Sequence, residues 1–111
     1  MRGGLAARQQ RIVAAYIDDH LAERTSLSTL ARLADLSPYH FARAFKQSFG
    51  LPPYRYLVAR RVERAELLLA DHALSVTEVA LSVGFSETSS FSAAFHRVAG
   101  VAPSAYRRGV A

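Results

Sequence analysis

Residues 75–95, SVTEVALSVGFSETSSFSAAF, predict two helices separated by a tight turn. The first helix begins at a capping box, because the Ser75 hydroxyl can accept from the Glu78 amide while the Glu78 carboxylate reaches back to the Ser75 amide. It ends near Val83, and Gly84 follows where a turn can require a positive φ. A second helix is predicted from about residue 88 to 98. The stretch therefore predicts a helical pair of fixed geometry.

A related stretch lies about fifty residues upstream. LARLADLSPYHFARAFKQSFGLPPYRY, residues 30–56, aligns with VALSVGFSETSSFSAAFHRVAGVAPSAY, residues 79–106, when one extra residue is allowed in the second turn. The matched positions are Ala31 and Ala80, Ser37 and Ser86, Phe41 and Phe91, Ala44 and Ala94, Phe45 and Phe95, Gly50 and Gly100, Pro53 and Pro103, and Tyr56 and Tyr106. The chain thus contains two copies of one unit.

A short helix, a tight turn and a second helix form the layout of a helix-turn-helix, whose second helix enters the DNA major groove. Ala31 and Ala80 fall where the paired helices would cross closely. At the position of Gly84 the first copy has Asp35, a residue type that tolerates left-handed backbone. A helical solenoid is the alternative, and two copies joined by one long connector fit it poorly, because such arrays usually need three or more repeats.

No stretch alternates apolar and polar residues as a strand would, so an all-α fold is predicted. Leucine, isoleucine, valine and tyrosine recur at helical spacing near the start, at Leu5, Ile12, Val13, Tyr16, Ile17 and Leu21. Caps at Ser26, Ser37 and Ser75, together with periodicity, predict seven helices, at about 5–22, 26–34, 37–50, 54–70, 75–83, 88–98 and 103–107. We divide the chain into a first helix-turn-helix subdomain (1–52), a connecting helix (53–72) and a second subdomain (73–111).

Composition narrows the function classes. The 111 residues suffice for about one domain, or for two very small ones. Cysteine is absent, which excludes disulfides, thiolate metal sites and cysteine nucleophiles. No apolar run could span a bilayer and no signal peptide is evident, so we expect a soluble cytoplasmic protein without a membrane partner. The net charge of +5 favours a polyanionic partner such as nucleic acid or an acidic membrane surface. Thirteen of the fourteen basic residues are arginine, which suits contact with phosphate or guanine, although genomic base composition could produce the same bias.

The helix of residues 38–48 has two contrasting faces. Helical spacing places Phe41, Ala44, Phe45 and Ser48 on one side, and Tyr39, Arg43 and Lys46 on the opposite side. In a major groove Tyr39 and His40 would lie deepest, and Arg43 could reach the O6 and N7 atoms of a guanine. Lys46 and Gln47 are better placed for phosphate.

The helix of residues 88–98 repeats the inner side with Phe91, Ala94, Phe95 and Val98. Its outward residues are small or polar, namely Ser89, Ser92, Ala93 and His96, and Thr88 and Ser90 flank them. Because hydroxyl groups discriminate weakly between bases, and Ala93 occupies the position of Arg43, we expect the first copy to carry most of the direct readout. The second copy would position the protein mainly through backbone contacts.

A connector of about seventeen residues measures roughly 25 Å at 1.5 Å per residue. It would let the two recognition helices (38–48 and 88–98) enter adjacent major grooves on one face of the DNA, about 34 Å apart. A rigid spacer that does not match straight DNA requires a bend, at about 1 to 6 kcal/mol, or partial release of one helix.

The quoted stretches resemble the DNA-binding domain of the AraC/XylS transcription regulators over about residues 10–108, with SVTEVALSVGFSETSSFSAAF as the most specific motif. The resemblance implies seven helices, sequence-specific binding of double-stranded promoter or operator DNA at a bipartite site, bacterial transcription regulation as an activator, and contact with RNA polymerase. Base contacts carried over by position fall on Tyr39, Ala42, Arg43, Thr88, Ser89, Ser90, Ser92 and Ala93. Alanines at 42 and 93 depart from members that have long polar side chains there.

The resemblance also bears on completeness and assembly. Most members carry an effector-binding or dimerisation domain, and 111 residues leave no room for one. We expect the chain to be either a small regulator by itself or, preferentially, the excised C-terminal domain of a larger one, monomeric as a fragment and associated with the nucleoid. No cofactor is expected.

Two other function classes compete. An enzyme would need a nucleophile elbow, paired-histidine metal spacing or a glycine-rich phosphate loop, and none occurs; DNA-repair methyl acceptors that contain such a domain need cysteine. The second alternative is a helical protein-interaction module or antagonist that has lost DNA binding. The basic residues of the outward face should form one stripe if DNA is bound and should be dispersed if it is not; they are Arg43, Lys46, Arg55, Arg60 and Arg97. Of these, Arg55, Arg60 and Arg97, together with His96, are predicted phosphate contacts.

Overall fold

The computed structural model describes residues 3–109, and within them the chain forms seven α-helices and no strand. They are α1 (Ala7–Asp19), α2 (Leu27–Leu33), α3 (Pro38–Phe49), α4 (Pro53–Leu69), α5 (Val76–Ser82), α6 (Thr88–Ala99) and α7 (Pro103–Gly109). The all-α, seven-helix prediction is confirmed. Among the described helices, none combines the length and the apolar content needed to cross a bilayer.

The chain divides into two compact units, one ending at Leu57 and the other beginning at Val58. Helix α4 therefore begins in the first unit and continues in the second. The finer division into two subdomains and a separate connecting helix stays a prediction.

Three serine caps form as predicted from the sequence. The Ser26 hydroxyl accepts from the Thr29 amide at 3.1 Å at the start of α2. At α5 the reciprocal box is complete, since the Glu78 amide donates to the Ser75 hydroxyl at 3.0 Å and the Ser75 amide donates to the Glu78 carboxylate at 2.7 Å. These bonds satisfy helix N–H groups that have no partner within the helix.

Helix α1 is shorter than the predicted span of 5–22. Leu5 precedes the helix, and its amide donates to the Ser48 hydroxyl of α3 at 2.7 Å, so Leu5 is buried without being helical. At the other end the His20 amide still donates to the Tyr16 carbonyl at 3.0 Å, but the backbone of His20 leaves helical geometry at φ −120° and ψ 31°, so the helix ends at Asp19. Of the apolar residues at helical spacing, Leu5, Val13, Ile17 and Leu21 are buried, whereas Ile12 is 39% exposed.

The turn between the paired helices has a left-handed residue and a matching hydrogen bond in both units. Asp35 has φ +60° and Gly84 has φ +104°, so both occupy the left-handed region that the sequence predicted for this position. In the first unit the Leu36 amide donates to the Ala31 carbonyl at 3.0 Å, and in the second the Phe85 amide donates to the Ala80 carbonyl, also at 3.0 Å. The internal repeat is therefore a structural repeat, down to its turn hydrogen bond.

Aromatic packing holds each recognition helix in the same way. Phe41 and Phe45 of α3 are fully buried with ring centroids 5.6 Å apart, and Phe45 meets Tyr56 edge-on at 5.3 Å. The second unit repeats the arrangement: its Phe91, Phe95 and Tyr106 give centroid separations of 5.6 and 5.5 Å. Buried rings of this kind contribute most of the apolar area in small cores. They orient the opposite faces of α3 and α6 toward solvent.

One inner-side prediction is wrong. Val98 was expected beside Phe95, but it is 47% exposed. Ala99, four residues after Phe95, packs against the core of the second unit instead. At 100° per residue the last turn of α6 turns Val98 outward once Ala99 faces the core.

Helix α7 secures the end of α4. Arg107 Nε donates to the Leu69 carbonyl at 2.9 Å, and Arg107 Nη2 donates to the Asp71 carbonyl at 3.2 Å. A cation near a helix C-terminus satisfies carbonyls that lack intrahelical partners and interacts favourably with the helix dipole. The PSAYRR segment, residues 103–108, thus attaches α7 to the end of α4. We call the two Arg107 hydrogen bonds the clasp.

Candidate nucleic-acid interface

The N-terminal turn of α3 is organised by its cap. The Ser37 hydroxyl accepts from the His40 amide at 3.3 Å, and the same hydroxyl lies 2.7 Å from His40 Nδ1. Pro38 occupies the first turn, where the missing N–H costs no helix bond. The His40 ring is exposed but is held against its own helix start, 5.6 Å from the Tyr39 ring. His40, a predicted base-contacting residue, thus has its ring and its amide bonded to the Ser37 cap.

Tyr39 and Arg43 lie one helical turn apart on the exposed side of α3. Tyr39 is 66% exposed, and Arg43 is also exposed. Arg43 Nη1 donates to the Tyr39 phenolic oxygen at 3.1 Å, while its Cζ atom lies 5.8 Å from the centre of the tyrosine ring. The two predicted base-contacting residues therefore form one joined group on the surface.

Ala42 has different surroundings. It is half-buried and borders an apolar groove of about 300 Å³ within the first unit. The groove is lined by Ile17, Thr25, Leu27, Leu30, Ala42, Pro52, Pro53, Tyr54 and Leu57. A methyl group at this edge can offer a base only an apolar contact, so the base-contacting role of Ala42 stays a prediction.

The predicted phosphate contacts of the first unit are solvent-accessible. Lys46 is exposed in the last turn of α3, and Arg55 is exposed in the first turn of α4. Gln47 is exposed too, but its side-chain oxygen lies against Gly3, where an added Cβ would approach to 2.7 Å. Lys46 and Arg55 therefore present charge to solvent, whereas Gln47 is partly committed to the N-terminal segment.

The start of α6 carries hydroxyl groups where α3 carries an aromatic ring and a cation. The Thr88 hydroxyl lies 3.0 Å from the hydroxyl of Thr77 on α5. Ser89 and Ser90 are exposed, Ser92 is half-buried and Ala93 is exposed. Such a surface is polar but uncharged, and its hydroxyl groups can donate or accept at many base edges.

The predicted phosphate contacts of the second unit differ in availability. His96 and Arg97 are exposed in the last turn of α6. Arg60, in α4, forms an ion pair with Glu63 one turn further along the helix, which offsets its charge locally. Arg60 is therefore a weaker candidate for a phosphate than Arg97.

Two residues of the second unit that support the interface, Thr77 and Arg61, are not among the residues predicted from the sequence. Thr77 joins α5 to Thr88, and no signal in the sequence pointed to it. Arg61 is only 8% exposed, and its Cζ atom lies 5.6 Å from the centre of the Phe85 ring. Its place in the apolar stripe of α4, beside Leu57 and Val62, was visible in the sequence and could have identified it as a buried cation that braces the turn before α6.

No three histidine, aspartate or glutamate side chains among residues 3–109 come close enough to hold a metal ion. Each unit contains a short capped helix, a left-handed turn and a second helix whose N-terminal half presents polar side chains to solvent. This architecture defines the helix-turn-helix class of DNA-binding proteins.

Comparison with known proteins narrows the class to a family. Residues 30–109 match the model of a family described as "Helix-turn-helix domain". The transcriptional activator RhaS of Escherichia fergusonii is 38% identical over 103 residues, covering 93% of this chain and 37% of RhaS. The MmsAB operon regulatory protein of Pseudomonas aeruginosa is 36% identical over 96 residues, covering 86% of this chain and 31% of that protein. The chain thus spans about a third of the length of these curated relatives.

A solved structure supports the same assignment. The DNA-binding domain of AdpA, a global transcriptional factor solved in complex with a target DNA, superposes with a TM-score of 0.84 at 34% identity, covering 94% of this chain and 93% of that one. The chain belongs to the AraC-type helix-turn-helix family of transcription regulators. It is a DNA-binding domain of this family, and the resemblance predicted from the sequence is confirmed.

Proposed function

We propose that this domain binds a bipartite operator, with α3 and α6 in adjacent major grooves and with α3 as the principal reader of bases. The observation that carries the proposal is the difference between the two exposed helix starts. Helix α3 presents the joined pair of Tyr39 and Arg43, whereas α6 presents hydroxyl groups and Ala93. An arginine can donate two hydrogen bonds to one guanine, whereas a hydroxyl can donate to or accept from the edges of several bases. Helix α3 should therefore discriminate between bases more strongly than α6.

In this proposal exposed basic side chains contact the phosphates that border each major groove. Lys46 and Arg55 serve the half-site of the first unit, and Arg97 with His96 serves that of the second. Phosphate contacts fix the register of the protein on the duplex without reading sequence. The second helix therefore contributes affinity and position more than specificity.

Selection of bound duplexes from a random pool, followed by separate scrambling of each half-site, tests this division of labour. Scrambling the half-site under α3 should lower affinity by about 10-fold or more, because each mismatched pair costs about 1 to 3 kcal/mol. Scrambling the half-site under α6 should cost less. Equal losses at both half-sites would reject α3 as the principal reader, and no enriched sequence at all would reject sequence-specific binding.

We further propose that the domain acts in the bacterial nucleoid in a non-enzymatic role, activates transcription by contact with RNA polymerase, and is monomeric by itself. The naming of RhaS as an activator supports the second point. Transcription in vitro from a promoter carrying the selected site should rise on addition of the protein. Light scattering should give a mass near the 12.1 kDa of one chain. Repression in the transcription assay, or a dimeric mass, would contradict the respective point.

A further inference from the structure

The hydrogen bond between Tyr39 and Arg43 uses one corner of the guanidinium group. Arg43 Nη1 donates to the phenolic oxygen at 3.1 Å, and the cation lies toward the ring at 5.8 Å from its centre. Both side chains are exposed, so the bond is not imposed by burial. A flexible arginine on an open helix face thereby acquires a preferred direction.

The chemistry of the guanidinium group decides what stays available. It has five N–H donors in a planar fork, and the phenol takes one donor on Nη1. Nε–H and the Nη2 donors lie together along the other edge of the fork. Two parallel donors on one edge match the O6 and N7 acceptors of guanine. The bond to Tyr39 therefore leaves a complete guanine-reading edge exposed.

The second unit lacks this arrangement at the matching positions. Ser89 replaces Tyr39 and Ala93 replaces Arg43, so α6 has neither the cation nor the phenol that would direct it. The pairing is thus a property of one copy of the repeat and not of the helix-turn-helix framework.

We propose that Tyr39 is a positioning residue for Arg43, and that its phenol directs the Nε and Nη2 edge of the guanidinium to a single guanine. The proposal rests on the proposed role of α3 as the principal reader and goes further by naming the edge of the guanidinium that faces the guanine and the group that orients it. Because the side chain is ordered before binding, less of its conformational freedom is lost when the guanine is bound.

The test uses the full chain and the selected duplex, with each guanine under α3 replaced in turn by 7-deazaguanine, which lacks the N7 acceptor. For the wild-type protein, one replacement should weaken binding by about 5- to 150-fold. Tyr39→Phe removes only the hydroxyl and should reduce that discrimination by about 2- to 10-fold. Tyr54→Phe is the matched control, since Tyr54 is 70% exposed on another helix of the same unit and should leave discrimination intact.

A double-mutant cycle separates orientation of Arg43 from direct base contact by Tyr39. If Tyr39 acts through Arg43, then Tyr39→Phe has no further effect in an Arg43→Ala background. An undiminished effect in that background, or full guanine discrimination in Tyr39→Phe while Arg43→Ala has lost it, overturns the proposal and leaves the reader role of α3 standing. If Arg43→Ala itself keeps all discrimination, the reader role of Arg43 fails, and the inference fails with it.

Discussion

Replacing Phe95 by alanine tests whether the buried aromatic ring of α6 holds the second recognition helix in place. The Phe95 side chain is fully buried, and its ring centroid lies 5.6 Å from that of Phe91 and 5.5 Å from that of Tyr106. Phe95→Ala therefore removes the central ring of three and leaves a cavity in the core of the second unit.

The expected cost follows from this burial. A buried phenylalanine replaced by alanine lowers the free energy of unfolding by about 3 to 5 kcal/mol. At about 0.05 to 0.15 kcal/mol per residue, a unit of this size has only about 3 to 8 kcal/mol of stability. We therefore expect the second unit of Phe95→Ala to be close to unfolded at 25 °C, and specific DNA binding to fall with it.

The assay is urea denaturation followed by far-ultraviolet circular dichroism, with the free energy of unfolding obtained by linear extrapolation. Val98→Ala is the matched control on the same helix, because Val98 is 47% exposed and should cost about 0.5 kcal/mol or less. A loss below about 1 kcal/mol for Phe95→Ala, or an equal loss for Val98→Ala, would refute the assignment of Phe95 to the core and of Val98 to the surface.

Three further changes have defined outcomes. Gly84→Ala should lower the free energy of unfolding by about 1 to 3 kcal/mol, since φ is +104° there; an unchanged denaturation midpoint would contradict this strain. Arg107→Ala should cost about 1 to 3 kcal/mol, because it leaves the Leu69 carbonyl without its donor, and hydrogen exchange near the end of α4 should rise; unaltered exchange would contradict the clasp. Arg43→Ala should cost about 1 to 3 kcal/mol on the selected site and spare random DNA, whereas Lys46→Ala should weaken both alike in a binding titration. Equal losses for Arg43→Ala on both duplexes would contradict its reader role.

The parts of the fold that were predictable from the sequence are those set by local chemistry. Ser26, Ser37 and Ser75 cap helices because a hydroxyl one residue before a helix meets an unbonded N–H wherever such a helix forms. The turn at Asp35 and Gly84 was predictable because few residue types accept positive φ. Because the two units align, the turn and the recognition helix predicted in one unit could also be predicted in the other.

The parts that were not predictable depend on how side chains meet across helices or at helix ends. Leu5 was placed in α1, although its amide bonds Ser48, forty-three residues away in sequence. Likewise the contact between Thr77 and Thr88 requires the crossing of α5 and α6. Arg61 appeared in an apolar stripe, and only the position of the Phe85 ring explains why a cation is buried there.

In the candidate interface, too, positions along a helix were predictable from the sequence, whereas contacts between side chains were not. Helical spacing sufficed to place Tyr39 and Arg43 on the outward face of α3, where the structure has them. Their hydrogen bond depends on rotamers that spacing alone does not select. The roles assigned to individual bases and phosphates stay predictions.

Binding of the selected duplex as a function of salt tests the central claim most directly. Three exposed cations are assigned to phosphates, namely Lys46, Arg55 and Arg97. Neutralising about three phosphates gives a slope of about −2.7 in a plot of log K against log salt, or roughly 40-fold weaker binding at 200 mM than at 50 mM. A slope near this value, with tighter binding to the selected duplex than to random duplex, is the predicted result. An affinity that does not change with salt would contradict DNA binding through these two helix-turn-helix units.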